Sequence, residues 1–600
     1  MKKIFLSAIF LLIFGFAAAQ TDFVLQNVYA RDYQSLNGQW NYIVDPFDNG
    51  YYDYRLQPNP NGFFKNAHAK TPQDLIEYNF DTSPAMNIPC DWNTKNEKLF
   101  FYEGTVWFKR DFVYHKKQNT NVFLYFGAAN YDARIYLNGE LLGRHIGGFT
   151  PFNFDITQKV REGDNFVVAM VNNVRKPEGV PTVNADWWNY GGITRDVLLV
   201  ETPATFIDDY FIHLEKNVYN KIVGFAKLNK EISGKNIQIE IHDLKIKQNV
   251  TTDNSGVARF EIAAKPILWS PENPKLYNVN FIFENNKIND QIAFRQIVTQ
   301  GKDIFLNGKK IFLRGISIHE EAPFRQGRAS KPEDANVLLG WAKELNCNFV
   351  RLAHYPHNEF MVRAAEKLGL LVWSEIPVYW TIHWDNPETY ANAEKQLNDM
   401  IARDKNRGAV IVWSIANETP HSDGRDRFLS KLARFAREKD DSRLISMAME
   451  VAGTRNNTSE VADNMNEFVD IISFNSYLGW YVGTVEDIRT RNWKIPYDKP
   501  FFISEFGADA LQGKHGAANE RFTEEYQAEL YDLTLKMFDK VEGFAGTSPW
   551  ILVDFYSPRR QLVGIQDFFN RKGLISNNGI KKQAFYVLQD FYRKKALNEK

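Results

Sequence analysis

The chain has 600 residues, of which 44% are hydrophobic, so it is long enough to bury the cores of several domains. It carries 72 Lys and Arg residues against 73 Asp and Glu residues, which gives a formal net charge of −1. This balance excludes a global electrostatic attraction to nucleic acids or to anionic membranes.

The N-terminus has the pattern of an export signal. Lys2 and Lys3 precede an apolar run over residues 4–16, and three alanines at residues 17–19 precede Gln20. We predict that residues 1–19 are a signal peptide and that the mature protein is exported, either to the periplasm or to the medium. The apolar run is short for a membrane span and no later stretch resembles one, so no transmembrane segment is expected.

Residues 20–203 and 204–297 both show short alternating strands separated by turns. The first stretch predicts a jelly-roll β-sandwich, with Asn138-Gly139 as a hairpin turn. The second has the size of an immunoglobulin-like β-sandwich and no concentration of titratable groups, so we interpret it as a spacer.

From residue 298 to residue 600, strands alternate with helices, which predicts a parallel sheet. Eight such strands favour a (β/α)8 TIM barrel. The predicted strands cover residues 311–319, 348–354, 370–375, 409–418, 444–449, 471–477, 500–505 and 541–550. The predicted helices cover residues 334–345, 359–368, 391–405, 426–438, 523–540 and 583–591.

Two of the predicted strands end in a glutamate. The buried run over residues 409–418 ends in Glu418, and residues 500–505 end in Glu505. The C-terminal ends of barrel strands meet at one mouth, so these side chains can converge. Two carboxylates on opposite sides of a cleft are the minimal set of catalytic groups for glycoside hydrolysis. Each glutamate alone could equally cap a helix or form a salt bridge, but the pair, preceded by the polar residues Asn417 and Ser504, favours catalysis.

Other strand ends are rich in polar and aromatic side chains. A sugar needs hydrogen bonds for its hydroxyls and an aromatic face for its C–H bonds, so this composition predicts a carbohydrate site. A single buried histidine is more often a packed residue than a catalyst, but so many donors at one rim are hard to explain by packing. The residues are His319, Glu320, Arg351, His354, Tyr355, Glu375, Asn475, Tyr477, Trp480, Tyr481, Trp550 and Asp554.

Several motifs together resemble those of glycoside hydrolase family 2, and the resemblance covers nearly the whole mature chain. It implies a sandwich, an immunoglobulin-like domain and a catalytic barrel in that order. The motifs are Gly191-Gly192-Ile193 with Arg195, the segment 269–277, Asn307-Gly308, Leu313-Arg314-Gly315, His319-Glu320, Val350-Arg351, His354-Tyr355-Pro356, Trp413-Ser414, Asn417-Glu418 and Ser504-Glu505-Phe506-Gly507.

Within that family the chain is most similar to the β-glucuronidases, through residues 523–527, the stretch 475–481 and Asn570-Arg571-Lys572-Gly573. Residues 557–569 are unlike most relatives. The resemblance implies a retaining exo-glycosidase that removes terminal β-D-glucuronic acid, with Glu505 as nucleophile and Glu418 as acid and base. It implies that Asn570 and Lys572 bind the glucuronate carboxylate through hydrogen bonds. The other implied substrate-binding residues are Asp186, His319, Arg351, Asn417, Asn475, Tyr477, Tyr481 and Trp550, with Asn417 on the sugar 2-hydroxyl and Tyr477 also orienting Glu505.

Three alternatives stay open at this point. A β-galactosidase or another neutral β-hexosidase would use the same two glutamates. A metal-dependent barrel hydrolase could use His319, His354 and Glu375, although no Cys-x-x-Cys or His-Glu-x-x-His spacing occurs and we expect neither a metal nor a cofactor. A non-catalytic sugar-binding protein is the third alternative. The expected partner is a carbohydrate, with no nucleic acid, and the sequence leaves a homo-oligomer open.

Overall fold

The structure is a computed structural model that describes residues 23–58, 69–451 and 453–598. The predicted signal peptide lies outside these residues. The predicted fold is confirmed, because two β-sandwiches precede a barrel of parallel strands and helices. Among the described residues, no helix is both long enough and apolar enough to cross a membrane.

The first sandwich packs a four-stranded sheet and a six-stranded sheet around an aromatic and aliphatic core, and Ala129–Asn130 pairs with Gly192–Ile193 in a separate two-stranded sheet. Its hairpin at Asn138-Gly139 has positive φ angles of 53° and 86°, which a two-residue turn between antiparallel strands requires. The strands are Asp32–Ser35, Gly38–Asp45, Ala85–Ile88, Thr105–Tyr114, Thr120–Phe126, Ala129–Asn130, Asp132–Leu137, Glu140–Ile146, Phe152–Asp155, Gly163–Asn172, Gly192–Ile193 and Val197–Pro203.

The second sandwich has a three-stranded and a four-stranded sheet, and apolar residues alternate along its strands to form a separate core. Its strands are Ile207–Leu214, Lys221–Leu228, Asn236–Ile241, Ile246–Thr251, Val257–Ala263, Tyr277–Phe283 and Asn286–Ile292. A small sheet of Ile297–Gln300, Asp303–Leu306 and Lys309–Lys310 leads from it into the barrel.

The barrel strands are buried along their length, as expected for a parallel sheet covered by helices. In chain order, strand one is Leu313–Arg314 with Ser317–Ile318, and strands two to eight are Phe349–Leu352, Leu371–Glu375, Val410–Asn417, Leu444–Met449, Ile472–Asn475, Phe501–Glu505 and Phe544–Thr547. The helices of eight residues or more are Pro332–Glu344, Glu359–Leu368, Pro387–Asp404, Asp423–Lys439, Glu524–Phe538 and Gln583–Asn598; Val485–Thr490 is shorter.

Strand one closes the barrel. Its first half pairs with strand eight and its second half with strand two, and these halves stand at the two ends of the parallel sheet. Only Gly315 and Ile316 separate the halves, so the ends of the sheet meet and the eight strands form a closed ring. The predicted continuous strand over residues 311–319 is therefore interrupted.

Helix ends follow from local sequence. The helix Glu359–Leu368 begins after Asn358, whose side chain accepts a hydrogen bond from the Phe360 amide, and it ends at Gly369 with a φ of +69°. A Cβ at Gly369 would lie 2.4 Å from the Pro271 carbonyl oxygen, so the same glycine also lets the helix end approach the second sandwich.

A buried ion pair fastens the first sandwich to the barrel mouth. Arg195 Nη2 lies 3.1 Å from Glu320 Oε2, and the same nitrogen donates to the Pro356 carbonyl at 2.7 Å. The loop before Gly192–Ile193 extends over the mouth, where Asp186 accepts a hydrogen bond from Ser557 Oγ at 2.5 Å. The first sandwich thus contributes directly to the cavity at the barrel mouth.

Candidate active site

Glu418 and Glu505 line one cavity of about 270 Å³ at the C-terminal ends of the barrel strands. Glu505 is the last residue of strand seven, and Glu418 directly follows strand four. The location is where parallel α/β barrels place their chemistry. The cavity is lined by Asp186, His354, Tyr379, Trp380, Glu418, Tyr477, Tyr481, Glu505, Trp550, Arg559, Arg560, Asn570 and Lys572.

Two donors fix the carboxylate of Glu505. Arg351 Nη1 donates to Oε1 at 2.6 Å, and the Tyr477 hydroxyl donates to Oε2 at 2.7 Å. Arg351 is itself held by Glu375, whose Oε1 lies 3.0 Å from Nη2. Burial alone would raise the pKa of Glu375, but the Arg351 guanidinium, together with His354 and the Trp373 hydrogen bond, lowers that pKa to about 2.

Glu418 has a different environment. Its Oε2 accepts a hydrogen bond from Trp380 Nε1 and its Oε1 accepts one from Asn475 Nδ2, both at 2.9 Å. Burial and, second, the negative charge of Glu505 raise the pKa of Glu418 to about 7. Glu418 can therefore carry a proton near neutral pH.

Asn475 and Asn417 connect the two carboxylates beneath the cavity. Asn475 Oδ1 accepts from Ser504 Oγ at 2.8 Å, next to Glu505, while its amide nitrogen donates to Glu418. Asn417 Oδ1 accepts from Arg351 Nη2 at 2.7 Å. Asn417 Nδ2 is buried and donates to no acceptor among the described residues, so it is available to a ligand.

A cation lies on one side of the cavity. Lys572 Nζ contacts Asp509 Oδ1 and the Tyr481 hydroxyl, each at 2.8 Å. Burial alone would lower the pKa of Lys572, but Asp509, together with smaller contributions from Tyr481 and Asp186, raises it. The ammonium therefore stays charged, and one of its three N–H groups has no acceptor assigned among the described residues.

A second charged pair lies beside this lysine. Asp186 pairs with Arg560 Nη2 and also accepts a hydrogen bond from Asn570 Nδ2 at 3.3 Å. Arg560 Nε is buried and has no acceptor in the described part of the chain. Two loops from different domains thus meet at the same wall of the cavity, where the first sandwich supplies the acceptor Asp186 and the barrel supplies the donors.

Aromatic rings form the floor. Trp550 stacks on His354, with ring centroids 4.7 Å apart and planes 23° apart, and His319 meets Trp550 edge-on. Burial and the neighbouring His354 lower the pKa of His319 well below its usual value, so this imidazole is neutral. Its Nδ1 lies 3.1 Å from the Tyr355 hydroxyl, while Nε2 has no partner among the described residues.

Three sequence models of one family match this chain in succession. The model of the glycosyl hydrolases family 2 sugar binding domain matches residues 33–203, that of glycosyl hydrolases family 2 matches residues 205–296, and that of the family's TIM barrel domain matches residues 297–594. The chain belongs to glycosyl hydrolases family 2. It is therefore an O-glycosyl hydrolase, as the resemblance of its motifs predicted.

Relatives in this family align over most of the chain. A β-glucuronidase of Paenibacillus borealis is 28% identical over 612 residues, which cover 93% of this chain and 96% of that protein. The human β-glucuronidase is 26% identical over 634 residues, covering 94% and 91%. Among solved structures, a β-glucuronidase from an uncultured Clostridium has a TM-score of 0.80 at 25% identity, covering 96% of this chain and 100% of that one. A β-galacturonidase from Eisenbergiella tayi bound to galacturonate has a TM-score of 0.78 at 23% identity, covering 96% and 99%, which shows a shared fold.

Eight predicted site residues of this family 2 chain line the cavity: Asp186, Glu418, Tyr477, Tyr481, Glu505, Trp550, Asn570 and Lys572. Four others lie beneath it: His319, Arg351, Asn417 and Asn475. Arg351, which was predicted to bind substrate, has no exposed surface. Its guanidinium donates hydrogen bonds to Glu375, Glu505 and Asn417. It positions the carboxylate rather than contacting the cavity.

The metal alternative that used His319, His354 and Glu375 does not fit the contacts of Glu375. Both of its oxygens are engaged, Oε1 by Arg351 and His354 Nδ1, and Oε2 by Arg351 and Trp373 Nε1. Across residues 23–58, 69–451 and 453–598, no group of three or more His, Cys, Asp or Glu side chains could hold a metal ion. The two cysteines are buried and unpaired.

Four cavity residues were not predicted: Tyr379, Trp380, Arg559 and Arg560. The pair Tyr379-Trp380 follows strand three after a short connection, so an aromatic pair close behind a barrel strand is the signal that could have found it. The arginines lie within the stretch 557–569 that departs from relatives, and no motif marks them. Asp509, the partner of Lys572, lies four residues after Glu505 and was also missed.

Proposed function

We propose that this protein is an exported, exo-acting β-glucuronidase that retains the configuration of the sugar through a double displacement. Glu505 attacks the anomeric carbon and the glycosidic bond breaks, while Glu418 gives its proton to the departing oxygen. Glu418, now ionised, takes a proton from water, and that water displaces Glu505 from the sugar. Both carboxyl groups return to their starting states.

One observation carries the mechanistic assignment: the two carboxyl groups have opposite surroundings. Glu418 is held with a raised pKa of about 7, while Glu505 is tied to the Arg351 guanidinium and to Tyr477. Paired titratable groups whose environments differ in this way take the acid and base roles separately. Asn417, with its free buried amide donor, is assigned to the sugar 2-hydroxyl.

The choice of a uronic acid rests on donors without acceptors. Lys572 retains a free N–H, and Arg560 Nε is buried without an acceptor in the described residues. A sugar carboxylate supplies acceptors to both, and charge-assisted hydrogen bonds of this kind are stronger than those a hydroxyl would accept. The relatives named β-glucuronidases, which align over most of the chain, support the same sugar.

The exo mode is supported by the size and closure of the cavity. At about 270 Å³ it lies at the small end of ligand sites, and Asp186 from the first sandwich meets Arg560 and Asn570 across its wall. A wall at the sugar side leaves room for a chain end rather than for the interior of a polymer.

Export is proposed from the N-terminal sequence, with its two lysines, its apolar run and its three alanines before Gln20. The test is N-terminal sequencing of the protein from fractionated cultures of a Gram-negative host. A mature protein that begins at Gln20 in the periplasm or medium supports the proposal, and a cytoplasmic protein that retains residues 1–19 contradicts it.

A panel of 4-nitrophenyl glycosides tests the sugar. The β-D-glucuronide, β-D-galacturonide, β-D-glucoside and β-D-galactoside are compared by kcat/KM, with Glu505→Gln purified in parallel to exclude contaminating activity. We expect the glucuronide to exceed the neutral sugars by at least ~100-fold, because those sugars leave charged donors unpaired. A preference for the galactoside would establish the neutral-hexosidase alternative instead, and a preference for the galacturonide would correct the epimer.

A further inference from the structure

Arg559 lies on the leaving-group side of the cavity and its charge has no counter-ion there. We propose that the enzyme acts on glycosides whose leaving group carries an anion, a carboxylate or a sulfate ester, which Arg559 binds next to the scissile bond. This inference rests on the proposed function for the direction of the reaction, and it adds a class of aglycone that the sugar-binding wall does not specify.

The position of Arg559 follows from two contacts. Trp380 Nε1 donates to Glu418 Oε2 at 2.9 Å, and the guanidinium carbon of Arg559 lies 5.0 Å from the centre of the Trp380 ring. Because Glu418 must face the departing oxygen to protonate it, the side chains next to Glu418 border the leaving group. Lys572 and Tyr481, in contrast, belong to the wall assigned to the sugar carboxylate.

The lysine and arginine side chains that line the cavity each have a carboxylate partner, except Arg559. Lys572 is paired with Asp509, and Arg560 is paired with Asp186. Arg559 Nη1 donates to Asn184 Oδ1, a neutral amide oxygen, and no carboxylate in the described residues lies within 4.0 Å of its guanidinium nitrogens. A cationic group that lines a cavity without a counter-ion favours an anionic ligand.

The site itself holds Arg559 in place. The Arg559 backbone amide donates to Ser557 Oγ at 3.3 Å, and that hydroxyl donates to Asp186 Oδ1 at 2.5 Å. Stacking on Trp380 and the bond to Asn184 then orient the guanidinium, so less conformational entropy is lost when a ligand binds. The planar fork suits the two oxygens of a carboxylate or of a sulfate.

The experiment compares leaving groups that differ only in charge. Phenyl glycosides carrying a 4-carboxylate, a 4-sulfonate or a neutral 4-carboxamide are prepared on whichever sugar the wild type cleaves best. For each enzyme, kcat/KM of the charged substrate is divided by that of the carboxamide, which cancels effects on the sugar. The variants are Arg559→Gln, Arg559→Lys and the matched control Arg259→Gln, an exposed arginine in the second sandwich.

At low ionic strength we expect the ratio to fall about three- to fivefold in Arg559→Gln, the size of a solvent-exposed ion pair, and to shrink as salt is added. Arg559→Lys should recover part of it, and Arg259→Gln should match the wild type. If the ratio falls in Arg559→Gln only for the sulfonate substrate, the leaving group is assigned as a sulfate ester. If it falls only for the carboxylate substrate, the leaving group is assigned as a carboxylate. An unchanged ratio in Arg559→Gln, or an equal fall in Arg259→Gln, overturns the proposal. A wild type that prefers a neutral sugar would defeat the glucuronidase assignment while leaving this comparison valid.

Discussion

We predict that the hydrogen bond from Trp380 to Glu418 helps to set the upper pH limit of the reaction. Trp380→Phe removes the indole N–H but keeps an aromatic ring in the same place. Burial and the charge of Glu505 raise the pKa of Glu418, the hydrogen bond from Trp380 opposes them, and the net pKa is about 7. Removing the donor should therefore raise the pKa further.

The size of the shift follows from the bond that is lost. A hydrogen bond to a charged group contributes about 1.5–3 kcal/mol. The protonated acid keeps part of the interaction with Trp380, and Asn475 still donates to the other oxygen. About half of this free energy should therefore stabilise the ionised form of Glu418 over its protonated form. At 1.36 kcal/mol per pKa unit, losing it corresponds to a rise of ~0.5–1 unit in the pKa of Glu418.

The assay is the pH dependence of kcat/KM on phenyl β-D-glucuronide, whose poor leaving group requires the acid. Because the protonated form of Glu418 is active, activity is present below its pKa and is lost as the pH rises through it. We expect the alkaline limb near pH 7 in the wild type and ~0.5–1 unit higher in Trp380→Phe. Trp384→Phe, on the same connection but packed on Phe428, should leave the limb in place. A limb that stays or moves down in Trp380→Phe would refute the reasoning.

Three further predictions test separate parts of the site. Glu418→Ala should reduce kcat/KM far more for alkyl or phenyl glucuronides than for the 4-nitrophenyl compound, and equal losses would give Glu418 another role. Lys572→Ala should lower kcat/KM on a β-glucuronide by ~10–100-fold while sparing any trace activity on a β-galactoside, and a similar loss on both would contradict the carboxylate contact. Glu375→Gln, measured by urea unfolding and by kcat, should cost ~2–4 kcal/mol of stability because it leaves Arg351 with one buried partner fewer. A change below about 0.5 kcal/mol would show that this network does not depend on the charge.

The barrel and its two glutamates could be predicted because their signals are local. Continuous apolar runs and helical patterns mark the elements of the barrel, and a glutamate at the end of a buried strand is placed by the topology itself. Seven of the eight predicted barrel strands overlap a single strand of the structure, and the remaining one, strand one, is interrupted at Gly315, where both halves keep their neighbours.

The distance of each site residue from the cavity could not be predicted from the sequence. Arg351 and Tyr477 both lie at or just beyond strand ends, yet one is buried beneath Glu505 and the other lines the cavity. Sequence spacing gives the strand on which a residue lies, but the distance to the cavity depends on how neighbouring strands are staggered. Trp380 and Arg559 come from connections whose path is set by contacts with other loops, so no periodicity identifies them.

The central claim is that Glu505 forms the covalent bond to the sugar. Its most direct test is to treat the enzyme with a 2-deoxy-2-fluoro-β-D-glucuronyl fluoride, digest it and locate the label by mass spectrometry. The account predicts one glycosyl group per protein on the peptide that contains Glu505, trapped because the fluorine slows release of the intermediate. Inactivation with the label on Glu418 or on any other residue would contradict it.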